Sequence, residues 1–171
     1  MRLPLAFALG LAFVASAAAQ GMAPMAGTFF VKDKGWTIWS GPRGCDAVNR
    51  DLTEFNVAPV NALWLTRYAG QGPQTVLRVF YWPGAFEPEQ SVTLKFNLLS
   101  GKNFEMTGMT TDTYIVDSDH ELTEKNITAL EEAGYANILL QGKPTLAFVT
   151  RGILDAAQYL VRCTATVNRQ Q

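Results

Sequence analysis

Two cysteines constrain this chain more than any other feature. Cys45 stands near the start of the patterned region and Cys163 near its end. In an oxidising compartment the obvious pairing joins them and closes most of the chain into one loop. The chain-entropy account gives such a closure roughly 4 to 5 kcal/mol. Cys163 ends the segment Gly152 to Cys163, in which Ile153, Ala156, Ala157, Leu160 and Val161 recur at i, i+3, i+4 and i+7. That spacing paints one apolar stripe on a helix, and the stripe needs a sheet to lie against. Leu146 to Thr150 reads as the strand that feeds it.

The N-terminus speaks to the compartment. Arg2 is followed by an almost wholly apolar run, Leu3 to Val14, and then by Ser16-Ala17-Ala18-Ala19 with small residues in the A-x-A pattern. This is the layout of a signal peptide cleaved near Ala19. An uncleaved anchor is the weaker reading, because the apolar run stops short of the roughly 18 to 20 residues a spanning helix needs. The expected product is periplasmic or secreted, with no transmembrane segment in the mature chain. Residues 20 to 171 number 152, the size of one domain with a real core. Without Arg2 they carry 13 Lys and Arg against 15 Asp and Glu, with the signs interleaved. No basic stripe is available for a phosphate backbone, so nucleic acid is not an expected partner.

The mature chain divides into a Gly/Ala/Met/Pro leader over 20–27, a single domain over 28–163 and a polar tail over 164–171. Thr28 to Val31 and Gly35 to Trp39 read as short strands, with Trp36 and Ile38 on one face and Trp39 on the other. Ser40 to Gly44 is turn chemistry, and Asp46 to Phe55 reads as either a short helix or a loop. Asn61 to Ala69 and Thr75 to Trp82 form a hairpin around Gly70 to Gln74. Ser91 to Leu99 alternates cleanly, Phe104 to Met109 and Thr113 to Val116 continue the meander, and Ala136 to Leu140 precedes the last strand. One helix lies between Asp119 and Gly134, with Thr123 as N-cap, Leu122 and Ile127 as a hydrophobic staple and Gly134 as the left-handed terminator. The expected fold is α+β: one antiparallel, twisted sheet of about six to eight strands, two helices on one face and one disulfide.

The segment Leu146 to Cys163 with Ala156-Ala157 and its closing cysteine, the early Gly35-Trp36-Thr37-Ile38-Trp39 and the Ala-rich signal peptide resemble the invasion-associated locus B family of small exported Gram-negative proteins. The resemblance covers scattered positions over the mature chain. It implies a periplasmic or surface protein without catalytic residues, and it transfers no site residues.

Chemistry-bearing motifs are few. Asp117-Ser118-Asp119-His120-Glu121, beside Glu124, is the densest polar cluster and holds the single histidine. Its spacing fits no calcium or zinc motif, and acidic residues ahead of a helix are expected from the helix dipole, so no metal is assigned. One histidine and two paired cysteines leave no triad-type nucleophile. Asp46, Asp51, Glu54, Glu87, Glu89 and Glu105 are available for a carboxylate-pair hydrolase, yet nothing in their spacing selects two. No catalytic residue and no cofactor are expected.

The surplus lies in aromatics: Trp36, Trp39, Trp64, Tyr68, Phe80, Tyr81, Trp82 and Phe86 crowd the first half. Two readings stand. Trp64, Arg67, Tyr68, Arg78, Tyr81 and Trp82 form an aromatic and arginine patch of the kind found at interfaces and sugar sites. Alternatively, the rings build a second core layer. The functional expectation is an exported binding module acting on a protein or glycan partner in the envelope or outside the cell. The alternative is a small envelope hydrolase.

Overall fold

The computed structural model describes residues 29–41, 43–50, 60–70, 74–82 and 84–169. The signal peptide with its expected cut near Ala19, the 20–27 leader and residues 51–55 of the helix-or-loop span lie outside them. Ten strands and two helices follow in the order β1 (Phe30–Asp33), β2 (Trp36–Gly41), β3 (Gly44–Val48), β4 (Ala62–Tyr68), β5 (Thr75–Phe80), β6 (Ser91–Leu98), β7 (Phe104–Asp112), β8 (Ile115–Glu121), α1 (Glu124–Ala133), β9 (Tyr135–Leu139), β10 (Leu146–Val149) and α2 (Ile153–Asn168). All ten strands join one sheet in the order β1-β2-β3-β4-β5-β8-β7-β6-β9-β10. Its pairings are antiparallel. The fold class is therefore the α+β sheet expected.

The strand count exceeds the expected six to eight. The four-residue strands β1 and β10 are not lost to loops but close the two ends of the sheet. β3 falls where a turn and a helix or loop were read, because Val48 suits a helical stripe as well as a strand. Its register with β2 and β4, Ala47 opposite Ile38 and Leu65, decides the matter. Helix α2 does not end at Cys163 but runs on to Asn168, and within that extension the Thr164 and Thr166 hydroxyls donate to the Leu160 and Arg162 carbonyls at 2.8 and 3.1 Å.

Both helices lie on one face of the sheet, α2 across β2, β3 and β4, and α1 against β6, β9 and α2. Between them and the sheet sits the main core, which takes Trp36 and Ile38 from β2, Leu63 and Leu65 from β4, Leu94 and Phe96 from β6, and Ile153, Ala156 and Leu160 from α2. Helix α1 is stopped and started as its sequence dictates. The Thr123 hydroxyl accepts from Asn126 N, Leu122 and Ile127 are buried, and Gly134 donates to Leu130 and Glu131 with φ at 68°. Cys45 on β3 and Cys163 on α2 are disulfide-bonded with Cα atoms 6.1 Å apart, so the helix is tied to the centre of the face it covers.

The chain entering α2 meets the other end of the sheet. Trp36 Nε1 donates to the Arg151 carbonyl at 2.9 Å, and Asn49 Nδ2 donates to the Val149 carbonyl at 2.7 Å. Gly152 makes this approach possible: its φ is 85°, and a Cβ there would stand 2.8 Å from the Lys34 Cβ.

Candidate functional site

A strand offers alternate residues to opposite faces, so every core position on β2 to β5 has a neighbour on the other face, which carries no helix among the described residues. There Trp39, Val48, Ala62, Trp64 and Phe80 form a second apolar cluster. Its rings make a continuous ladder across the sheet. Trp39 meets Trp64 edge-on at 5.0 Å, Trp64 meets Phe80 at 5.6 Å, Phe80 meets Tyr114 at 6.3 Å, and Tyr114 meets Trp82 edge-on at 5.9 Å. Trp39, Trp64 and Phe80 are buried, whereas Trp82 at the ladder's end is 46% exposed. The second-core-layer alternative thus describes the first three rings and leaves out the last.

Of the six patch residues drawn from the sequence, the even-numbered four share this face and the odd-numbered two do not. Trp64 and Arg78 are cross-strand partners of β4 and β5, Tyr68 lies further along β4, and Trp82 follows β5. Tyr81 belongs to the main core and is fully buried. Arg67 has the parity of Leu63 and Leu65, stands opposite Cys45, and reaches Thr75 Oγ1 at 3.5 Å. The six therefore do not form one patch, because the period of two sends neighbours in sequence to opposite sides.

At the β2–β3 hairpin end of this face lies a cleft of about 140 Å3, lined by Gly41, Arg43, Gly44, Asp46, Trp64, Thr66, Tyr68 and Arg78. Gly44 lets β3 and β4 close up at its rim: a Cβ there would stand 2.2 Å from the Arg67 carbonyl oxygen. Asp46 Oδ1 accepts from Trp64 Nε1 at 2.9 Å and from Thr66 Oγ1 at 2.7 Å. Arg78 is clamped from the other side, with Nε donating to Asp117 Oδ1 at 2.5 Å and Nη2 to Asp117 Oδ2 at 2.7 Å. The hydrogen bond to Asp117 raises the Arg78 pKa above its ordinary value, with the charges of Asp117 and Asp46 adding to it against the opposing effect of burial. Asp46, Thr66 and Arg43 had no place in the sequence-based patch. The signal that finds them is the alternation of β3 and β4, visible once residues 44–48 are read as a strand.

The acidic run Asp117 to Glu121 was expected to be a loop ahead of a helix. It is instead part of β8, with Asp117 on the cleft face bound to Arg78 and Ser118 turned to the core side, where its hydroxyl accepts from Leu77 N at 3.0 Å. Among the described residues no group of three or more His, Cys, Asp or Glu side chains could hold a metal ion.

Larger clefts lie elsewhere. One of about 660 Å3 runs between the β6–β7 turn and α1 beside Phe104 and Glu124, and one of about 750 Å3 is bordered by Phe86, Glu105 and Leu140. A shallower one of about 300 Å3 lies at Asp33 and Lys34. Among the described residues each of these, like the hairpin cleft, is lined by a single carboxylate. What distinguishes the small cleft is fixed polar groups converging on aromatic walls. Compared with known protein families, curated proteins and solved structures, the chain matches none of them.

Proposed function

We propose that this chain is an exported, non-catalytic binding module whose working face is the helix-free side of the sheet, from the hairpin cleft to Trp82. The carrying observation is Trp82, an indole nearly half exposed at the end of a ladder of buried rings and held edge-on by Tyr114. Its backbone N–H donates to Asn61 Oδ1 at 2.5 Å, which fixes the anchor from below. Rigid, partly exposed aromatics of this kind supply large contact area at small entropic cost, and such residues dominate interface energetics. Arg78 lies on the same face of the same chain segment, four residues or about 13 Å away.

Export is supported by the disulfide, which persists in oxidising compartments, and by the targeting pattern before Ala19. Among the described residues no helix is long and apolar enough to cross a membrane. The resemblance to the invasion-associated locus B type points to the same compartment. The hydrolase alternative requires two carboxylates at one cleft: among the described residues each cleft is lined by one, Asp117 at the hairpin cleft is engaged by Arg78, and Asp51 and Glu54 lie outside the described residues.

The test is capture from the native envelope with mature, periplasm-expressed protein as bait. Trp82→Ala should fold like the parent and lose the captured partner. Undiminished capture by Trp82→Ala would remove the basis of this assignment.

A further inference from the structure

The hairpin cleft specifies its ligand more closely than the rest of the face. Its charges cancel: Arg43 and Arg78 stand against Asp46 and against Asp117, which holds Arg78. An anion would meet the Asp46 carboxylate, and a cation would meet two guanidinium groups, so neither sign of charge is favoured. The cleft does offer donors and an acceptor in fixed places. Asp46 is held through Oδ1 by Trp64 and Thr66, while its Oδ2 faces Gly41, where a Cβ would lie 3.4 Å away. A guanidinium carries five N–H donors, of which the clamp on Asp117 uses two. Tyr68 adds a phenol to the wall.

Size narrows the choice further. At about 140 Å3, against about 300 to 750 Å3 for the other clefts described, it suits one small ring better than a peptide strand. The matching chemistry is uncharged, ring-sized and dense in hydroxyls that both donate and accept, with an apolar ring face to set against aromatic walls. We propose that this cleft is the subsite for one ring of a neutral glycan, with Asp46 Oδ2 accepting from its hydroxyls and Arg78 and Arg43 donating to them. The proposal rests on the reading of this face as a binding surface and names the class of ligand it takes.

Two substitutions separate the site from the fold. Asp46→Asn keeps an Oδ1 that accepts from Trp64 and Thr66 but turns the oxygen facing Gly41 into a donor. Gly41→Val places a side chain over that oxygen. Gly41 lacks the left-handed backbone that would forbid it, and a Cβ there would stand 3.4 Å from Asp46 Oδ2 and 3.8 Å from the Gly44 carbonyl oxygen, with no clash. The mature disulfide-bonded protein is screened on an array of neutral glycans spanning hexoses, deoxyhexoses and N-acetylhexosamines, and hits are titrated by calorimetry. We expect at least one neutral glycan to bind, each variant to weaken it about tenfold or more, and the melting temperatures to stay within a few degrees of the parent. Binding of no neutral glycan, or equal binding by both variants, overturns the proposal. If envelope capture then still depends on Trp82, the binding-module reading stands without the glycan subsite, and a captured species that survives glycosidase treatment identifies a protein partner in its place. If glycan binding depends on Asp46 while Trp82→Ala captures as the parent does, the subsite stands and the Trp82 surface falls.

Discussion

Trp64→Ala and Trp82→Ala should behave differently, although both remove an indole from the same face of the same hairpin. Trp64 is 3% exposed, touches Trp39 at 5.0 Å and Phe80 at 5.6 Å, and donates its N–H to Asp46. Truncating a buried Trp to Ala costs about 3 to 5 kcal/mol in lost burial and residual cavity. Asp46 also loses one of its two donors, which leaves a partly buried carboxylate less well satisfied and pushes the cost toward the top of that range. For a domain of this size each kcal/mol lowers the melting temperature by about 3 °C, so Trp64→Ala should melt roughly 9 to 15 °C below the parent. Trp82 is 46% exposed and, among the described residues, meets one ring, Tyr114, edge-on at 5.9 Å. An edge-on pair is worth about 0.5 to 1.5 kcal/mol beyond the area it buries, and covering about half of the ring adds roughly 1 to 1.5 kcal/mol, so Trp82→Ala should melt about 5 to 9 °C below the parent, less than Trp64→Ala. Differential scanning calorimetry of the two variants, alongside the capture assay, measures both numbers. A Trp64→Ala protein as stable as the parent, or a Trp82→Ala protein that melts as low as Trp64→Ala, would refute the division of the ladder into a buried floor and an exposed end.

The Cys45–Cys163 bridge closes a separation of 118 residues, so Cys163→Ser should cost about 2 to 5 kcal/mol, read as a melting temperature lower by roughly 6 to 15 °C and abolished as a difference when the parent is reduced. Tyr81 Oη is buried with no hydrogen-bond partner among the described residues, so Tyr81→Phe should raise stability by about 1 kcal/mol in chemical denaturation. Burial also pushes the Tyr81 phenol above its ordinary 10.0. The folded state therefore holds a proton that the unfolded state releases above pH 10, its stabilising contribution is complete below that pH and is lost as the pH rises through the folded value, and Tyr81→Phe should show a shallower alkaline loss. Calcium and zinc should leave the melting temperature unchanged, because the acidic run is built into β8 and Asp117 is already bound to Arg78; a rise of many degrees at micromolar metal would contradict this.

How far each element could be read from the sequence depends on how local its determinants are. Helix α1 is specified within its own length by the Thr123 cap, the Leu122 and Ile127 staple and the Gly134 terminator, and it appears where those signals put it. The alternation of β6 is equally local, with Leu94, Phe96 and Leu98 buried and Thr93, Lys95 and Asn97 exposed. β3 is not local. Its five residues become a strand because β2 and β4 offer ladders on both sides, and a window around Val48 contains neither partner. The same holds for β8 pairing with β5 across the intervening β6–β7 hairpin, a contact that sets the sheet order and brings Asp117 to Arg78. The end of α2 was hidden for a different reason: Thr164 and Thr166 look like tail residues until their hydroxyls are seen to bond back along the helix.

The site was half legible, and its missing half follows from the core. Parity alone separates Trp64, Tyr68, Arg78 and Trp82 from Arg67 and Tyr81, since each set recurs at even spacing along β4 and β5. Parity does not say which members are covered. That is settled by the ring ladder, and the ladder carries an obligation with it. A buried indole N–H needs an acceptor, and for Trp64 the acceptor is Asp46, two positions from Val48 on the same face of β3. Satisfying the indole with a carboxylate rather than a carbonyl brings a charged group to the cleft, and Thr66 fixes its orientation through the same oxygen. The second oxygen is then positioned by demands that arise wholly within the fold. Because those demands hold with or without a ligand, the acceptor is ordered before any ligand arrives, and that ordering entropy is not charged against binding. A binding surface of the kind proposed needs no dedicated motif, because its acceptor is placed by the packing of Trp64 and Thr66.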